Sequence, residues 1–96
     1  MTEQEFNQIP FRMISHLAME HEHASTYINE EYGFAVCKHV KKKDDFTFGR
    51  TYIHYMYQGK VYKTKQKFLE TIKDVNPIGE FDIRKKNHDT PTINQL

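Results

Sequence analysis

The sequence predicts a single α+β domain made of a helix, an antiparallel sheet of three strands or four, and a second helix. Three observations predict it: an apolar stripe at helical spacing near the N-terminus, a run of aromatic and β-branched residues over 46–57, and a second helical stripe after it. Ninety-six residues suffice for one core and leave no apolar surface for another. Residues 1–83 are therefore expected to form the domain, and residues 84–96, polar and without a period, a mobile tail.

Thr2 and Glu5 have the spacing of a capping box, in which hydroxyl and carboxylate each satisfy a free backbone N–H at a helix start. Phe6, Ile9, Met13, Ile14 and Leu17 then recur at three and four residues, which gathers them on one helical face. Pro10 lacks the N–H that an interior helical position needs, so a kink or a short first turn should precede a main helix from Pro10 to His23. Residues 25–33 read either as a short strand and turn or as a connection.

From Phe34 to Val40 the chain is rich in strand formers and ends in the charged turn Lys41 to Asp45. Phe46 to Tyr57 is the clearest strand. Gln58-Gly59 then supplies a two-residue turn, and Lys60 to Lys65 should pair back. Such a turn sets Tyr57 opposite Lys60, Tyr55 opposite Tyr62, His54 opposite Lys63 and Tyr52 opposite Lys65. Residues opposite each other share a face. Ile53, Tyr55, Tyr57 and Tyr62 are thus expected in the core, with Arg50, Tyr52, His54, Lys63 and Lys65 facing solvent or a partner. Thr64 should cap a helix carrying Phe68, Leu69, Ile72 and Val75 inward, with Asn76-Pro77 as its stop. Ile78, Phe81 and Ile83 are expected to dock as one more extended segment.

No apolar run approaches the ~20 residues that span a bilayer, and the acidic start Met1-Thr2-Glu3-Gln4-Glu5 is unlike a secretory signal. A lone Cys37 closes no internal disulfide, which suits a reducing compartment. A cytoplasmic location is expected. The formal charge of +1 hides an asymmetry: Arg12 stands alone against six glutamates in residues 1–32, whereas residues 33–68 hold nine cations against Asp44 and Asp45. Such a basic block attracts polyanions or acidic protein surfaces.

On a helix, His16, Glu20 and His23 would share one face and could offer ligands to zinc or nickel; the alternative is a polar face with an i,i+4 pair. The pattern supplies no fourth ligand, so no metal or other cofactor is expected. Cys37 and His39, two apart on a strand, point to the same side, the arrangement of an activated nucleophile or of a buried small hydrophobe near a histidine. No orienting acid stands at a recognisable spacing, and the isolated Gly33, Gly49, Gly59 and Gly79 form no phosphate loop. An enzyme is not expected. The strongest lead is basic: Lys41, Lys42 and Lys43 in the turn, with Arg50, His54, Lys63 and Lys65 around Tyr52, offer phosphate-neutralising charge beside an aromatic surface.

The strands followed by Gly59-Lys60-Val61-Tyr62-Lys63-Thr64-Lys65-Gln66-Lys67-Phe68 resemble the arm-type DNA-binding domain of phage and transposon integrases. That resemblance implies a three-stranded sheet entering the major groove with a helix packed behind it. No recombinase catalytic domain is recognised in these residues, so an integrase itself is not expected. The order helix, three strands, helix also resembles the double-stranded-RNA-binding domain, with Lys63, Lys65 and Lys67 echoing its lysine cluster. In general character the chain is similar to small accessory proteins of phages and mobile elements, including anti-CRISPR inhibitors. The expected function is non-enzymatic binding of nucleic acid through the basic sheet face. The rival is an inhibitor of a nucleic-acid-handling protein, anchored by Tyr52, Met56 and the acidic first helix.

Overall fold

The computed structural model describes residues 1–43, 47–77 and 91–96. Its elements are helix α1 (Glu3–Asn7), strands β1 (Arg12–Ala18), β2 (Glu22–Asn29), β3 (Phe34–Lys42), β4 (Phe48–Tyr57) and β5 (Lys60–Tyr62), helix α2 (Lys65–Ile72) and a 3₁₀ turn (Ile93–Gln95). The strands form one antiparallel sheet in the order β1-β2-β3-β4-β5. The class is α+β as expected, with five strands where three or four were predicted.

The difference lies in residues 10–29. The Thr2–Glu5 capping box forms, but α1 stops at Asn7, and Ile9 and Phe11 are buried on either side of Pro10. Beyond Pro10 the expected helix to His23 is absent: β1 and β2 form a hairpin there instead, with Met13 opposite Tyr27 and His16 opposite Ser25. The physical reason is the partner strand. Ser25 to Asn29 is the segment left ambiguous by sequence, and as β2 it pairs residue for residue with β3, from Ser25–Lys38 to Asn29–Phe34. Once β2 is in the sheet, the chain before it gains more from a hairpin ladder than from a helix whose apolar stripe Pro10 has already cut. Buried Asn29 fixes the next turn: its Nδ2 donates to the Pro10 carbonyl at 3.0 Å, and its Oδ1 accepts from the Tyr32 amide at 3.0 Å.

The β4–β5 turn at Gln58-Gly59 forms with both residues at positive φ, 50° and 78°. Its register is the predicted one for Tyr57–Lys60, Met56–Val61 and Tyr55–Tyr62. Strand β5 then ends, so the expected pairs His54–Lys63 and Tyr52–Lys65 do not form. Thr64 instead caps α2, its hydroxyl accepting the Lys67 amide at 3.3 Å. Capping there swings Phe68 and Ile72 into the core, where both are fully buried.

One face of the sheet carries that core. Tyr27, Phe34, Val36 and Tyr55 point into it, and Ile53, Tyr57 and Tyr62 pack at its margin, as the predicted alternation requires. Phe6 is its hub, with ring centroids of Phe68 at 5.3 Å, Phe11 at 5.9 Å, Phe34 at 6.0 Å and Tyr55 at 6.2 Å. The Met1 ammonium donates to the carbonyls of Ile72, Lys73 and Val75, satisfying acceptors that the end of α2 leaves free. The helix is shorter than its apolar stripe suggested, ending before the expected stop at Asn76-Pro77.

Residues 91–96 return to the core side of the sheet. Pro10 bridges Thr92, the Phe11 amide donates to the Pro91 carbonyl at 2.8 Å, and Ile93 is buried among the core side chains. The proposed segment Ile78–Ile83 and the tail residues 84–90 lie outside the described residues, as does the tip of the Lys41–Asp45 turn.

Candidate functional site

The second face of the sheet is where the candidate site sits, because α1, α2 and the 3₁₀ turn all contribute their buried side chains to the first. Strand pairing arranges its side chains in rows that cross the sheet. One row runs Val61, Met56, Ala35, Ile28 and Arg12 from β5 to β1. The next holds His54, Cys37, Thr26 and Ser15, and the third Tyr52, His39, Ala24 and Leu17. Lys41 and Glu22 begin a fourth. The face is apolar at the β4–β5 turn and aromatic, then charged, towards the β3–β4 turn.

The aromatic rows form a connected cluster. His39 and Tyr52 lie in parallel, with centroids 4.6 Å apart and planes 6° apart. The His54 ring is tilted against both, at 5.0 Å and 5.2 Å. Lys41 Nζ stands 5.9 Å from the centre of the Tyr52 ring, within reach of its negative face. Glu22 Oε2 accepts from His39 Nδ1 at 2.7 Å, which orients the imidazole. Burial of the ring, and then the Glu22 carboxylate beside it, raise the Tyr52 pKa above its ordinary value.

The structure brings together Lys41, Tyr52 and His54 from the predicted set and adds His39. Arg50 and Lys43 are exposed nearby, beside the irregularity where β3–β4 pairing skips from Val40–Thr51 to Lys42–Phe48. Two of the other predicted cations, Lys42 and Lys65, lie elsewhere. Lys42 is paired with Phe48, whose ring meets His23 on the first face. Lys63 is exposed just past β5, and Lys65 starts α2, where its ammonium donates to Asn7 Oδ1 at 2.7 Å and lies 3.4 Å from Glu3. Lys65 also stands over the Phe6 ring, on the helix side of the molecule. It was misplaced because the predicted β5 ran three residues too far.

His16 and His23 are adjacent through the hairpin, with ring centroids 5.4 Å apart, not through a helix. Glu20 lies in the turn between their strands, 3.9 Å from His21. His16 Nδ1 is 2.7 Å from the Ser25 hydroxyl. Cys37 stands directly across from His54, and its sulfur accepts from the Thr26 hydroxyl at 3.6 Å. Among the described residues, no three His, Cys, Asp or Glu side chains converge in a way that could hold a metal ion. A shallow depression along Glu3, Lys65, Leu69 and Lys73 lies on the helix side, away from the aromatic cluster. No described helix is long and apolar enough to cross a membrane.

His39 and Glu22 are the members of the cluster that the sequence did not assign to this surface. The alternation of Cys37, His39 and Lys41 along one strand was a usable signal, but the partner across from His39 depends on a β3–β4 register that no tight turn announces. No protein-family model, curated protein or solved structure matches the chain.

Proposed function

We propose that the protein is a non-enzymatic binding protein that engages nucleic acid on the second face of its sheet. The observation that carries this reading is the parallel His39–Tyr52 stack with Lys41 over the Tyr52 ring, flanked by exposed Arg50 and Lys43. An aromatic surface ringed by cations combines the two contacts nucleic acid offers: bases stack on the rings, and the phosphates between them meet the ammonium and guanidinium groups. Lys65 drops out of this surface, and His39 enters it.

Fluorescence anisotropy with labelled DNA and RNA oligonucleotides tests the reading. Affinity should fall steeply and log-linearly with salt, and Tyr52→Ala should cost about 1–3 kcal/mol per stacked base. Lys41→Glu should weaken binding to every sequence alike. Absence of affinity for either nucleic acid at low salt would overturn the proposal.

The apolar row Val61, Met56, Ala35 and Ile28 favours a second reading, a protein-directed inhibitor of a nucleic-acid-handling enzyme. Such a row suits the dry centre of a protein interface with the Tyr52 end as its rim. Capture of one salt-resistant protein partner, lost in Met56→Glu and retained in Lys41→Glu, would select this reading over the first.

A further inference from the structure

We infer that the nucleic acid this face takes is single-stranded, with unpaired bases laid on the Tyr52–His39 stack; this rests on the reading proposed above and narrows its ligand. The first ground is the rings. His39, Tyr52 and His54 are all partly exposed and touch one another, with centroids 4.6, 5.0 and 5.2 Å apart. Each ring of the parallel pair has one face against the other ring, so the stack is extended only by a further flat group on a face that remains. A base in a duplex has both faces covered by its neighbours, whereas an unpaired base can be splayed out and stacked on a side chain. Lys41, 5.9 Å from the Tyr52 centre, and exposed Arg50 and Lys43 supply charge for its phosphates at the same end of the face. Glu22 is the one acidic member of the cross-sheet rows, and its carboxylate already accepts from His39.

The second ground is width. The major groove of B-form DNA is about 12 Å wide and admits a helix or a two-stranded ribbon. The helices α1 and α2 lie behind the other face, where Phe6, Phe68 and Ile72 enter the core. Strands β3 and β4 do not stand clear as a ribbon either: β2 pairs alongside β3 as far as Glu22–Lys41, and β1 alongside β2 as far as Ala18–His23. The row of Tyr52, His39, Ala24 and Leu17 therefore crosses four strands. At the spacing of paired strands that is about 14 Å between the outer strand axes, before side chains are added. A face this broad rests on the rims of a duplex and meets phosphates, and it does not carry Tyr52 to a base. A single strand has no groove to enter and can lie along the rows, bases on the rings.

Fluorescence anisotropy compares one labelled sequence of about 16 nucleotides as a single strand and annealed to its complement, in DNA and in RNA. At equal salt the single strand should bind about tenfold or more tightly than its duplex. Tyr52→Ala should lower single-strand affinity about 5- to 150-fold, the worth of one stacked base, and leave duplex affinity within about twofold. Tyr52→Phe keeps the ring and should keep the preference. In the wild-type protein, the Tyr52 ring protons should move upfield in NMR spectra as single strand is added, under the ring current of the stacked base; this reading needs no variant to fold. A duplex bound as tightly as the single strand, with affinity that falls with salt, would overturn the inference and leave nucleic-acid binding itself standing. So would a single-strand preference that Tyr52→Ala does not reduce. No affinity for any of these probes would remove the underlying reading, and this inference with it.

Discussion

At the scale of single residues, Phe6 shows how much of the fold one side chain holds. Its ring has no exposed area and meets four other rings, from the segment after α1, from β3, from β4 and from α2. Phe6→Ala removes the transfer energy of a whole phenyl group and leaves a cavity that rings fixed on separate elements cannot fill, a loss of about 3–5 kcal/mol. Urea unfolding should show it as a lower midpoint at unchanged slope. Tyr55 makes a second, pH-dependent contribution. Burial raises its pKa above the ordinary value of 10.0, because the core disfavours the phenolate. A group whose folded pKa is raised stabilises fully below its unfolded pKa, and that stability is lost as pH rises through the folded one. Wild type should therefore lose more stability than Tyr55→Phe between about pH 8 and about pH 11, read from urea midpoints at the two pH values. The inward pointing of Tyr55, Ile53, Tyr57 and Tyr62 was legible in the sequence, since the Gln58-Gly59 turn and strict alternation leave one choice of face. The stacking of Tyr52 on His39 was not, because it depends on a longer-range pairing that alternation alone does not set.

At the scale of elements, the strand hairpin with a tight turn was the most readable unit and the first helix the least. Both turn residues adopt positive φ, which Gly59 tolerates and Gln58 does not favour. Gln58→Asn puts a residue at home in that region into the turn and should stabilise the protein by a few tenths to about 1 kcal/mol. Gly59→Ala meets no atom within 4 Å of the new Cβ, so its cost, about 1–2 kcal/mol, is purely backbone strain. Thermal melts of the two variants should shift in opposite directions. The predicted helix from Pro10 to His23 failed for a different reason. Met13, Ile14 and Leu17 do fall at helical spacing, yet all three are exposed, so the stripe never had a core to cover. The Pro10 break, with β-branched and aromatic Thr26, Tyr27 and Ile28 ahead, was the stronger signal. It became decisive only with β3 available to pair, which is tertiary information.

At the scale of the whole molecule, the core lies under one part of one sheet face, and the chain returns to it at both ends. Met1 donates to the end of α2, while Ile93 and Leu96 pack into the same cluster from the other end of the sequence. The Lys38 ammonium reaches the Leu96 carbonyl, and the Pro10–Thr92 bridge ties this segment to the break between α1 and β1. The composition of residues 84–96 concealed this: a polar stretch with one isoleucine reads as tail, and one buried isoleucine with a few backbone bonds leaves no period to detect. A chain ending at residue 90 discriminates between the two descriptions. A mobile tail would leave the unfolding midpoint unchanged. Docking as described predicts a loss of at least the ~2–5 kcal/mol of a buried isoleucine side chain, since the Pro91 and Thr92 bonds go with it. Ile93→Ala alone should reproduce most of that loss, which shows that the side chain and not chain length is responsible. Hydrogen exchange locates the damage: the Phe11 amide, which donates to Pro91, should lose protection first, while amides bonded between β3 and β4 keep theirs until global unfolding. Equal loss of protection at both places would mean that the segment supports the sheet as a whole and not the junction at Pro10.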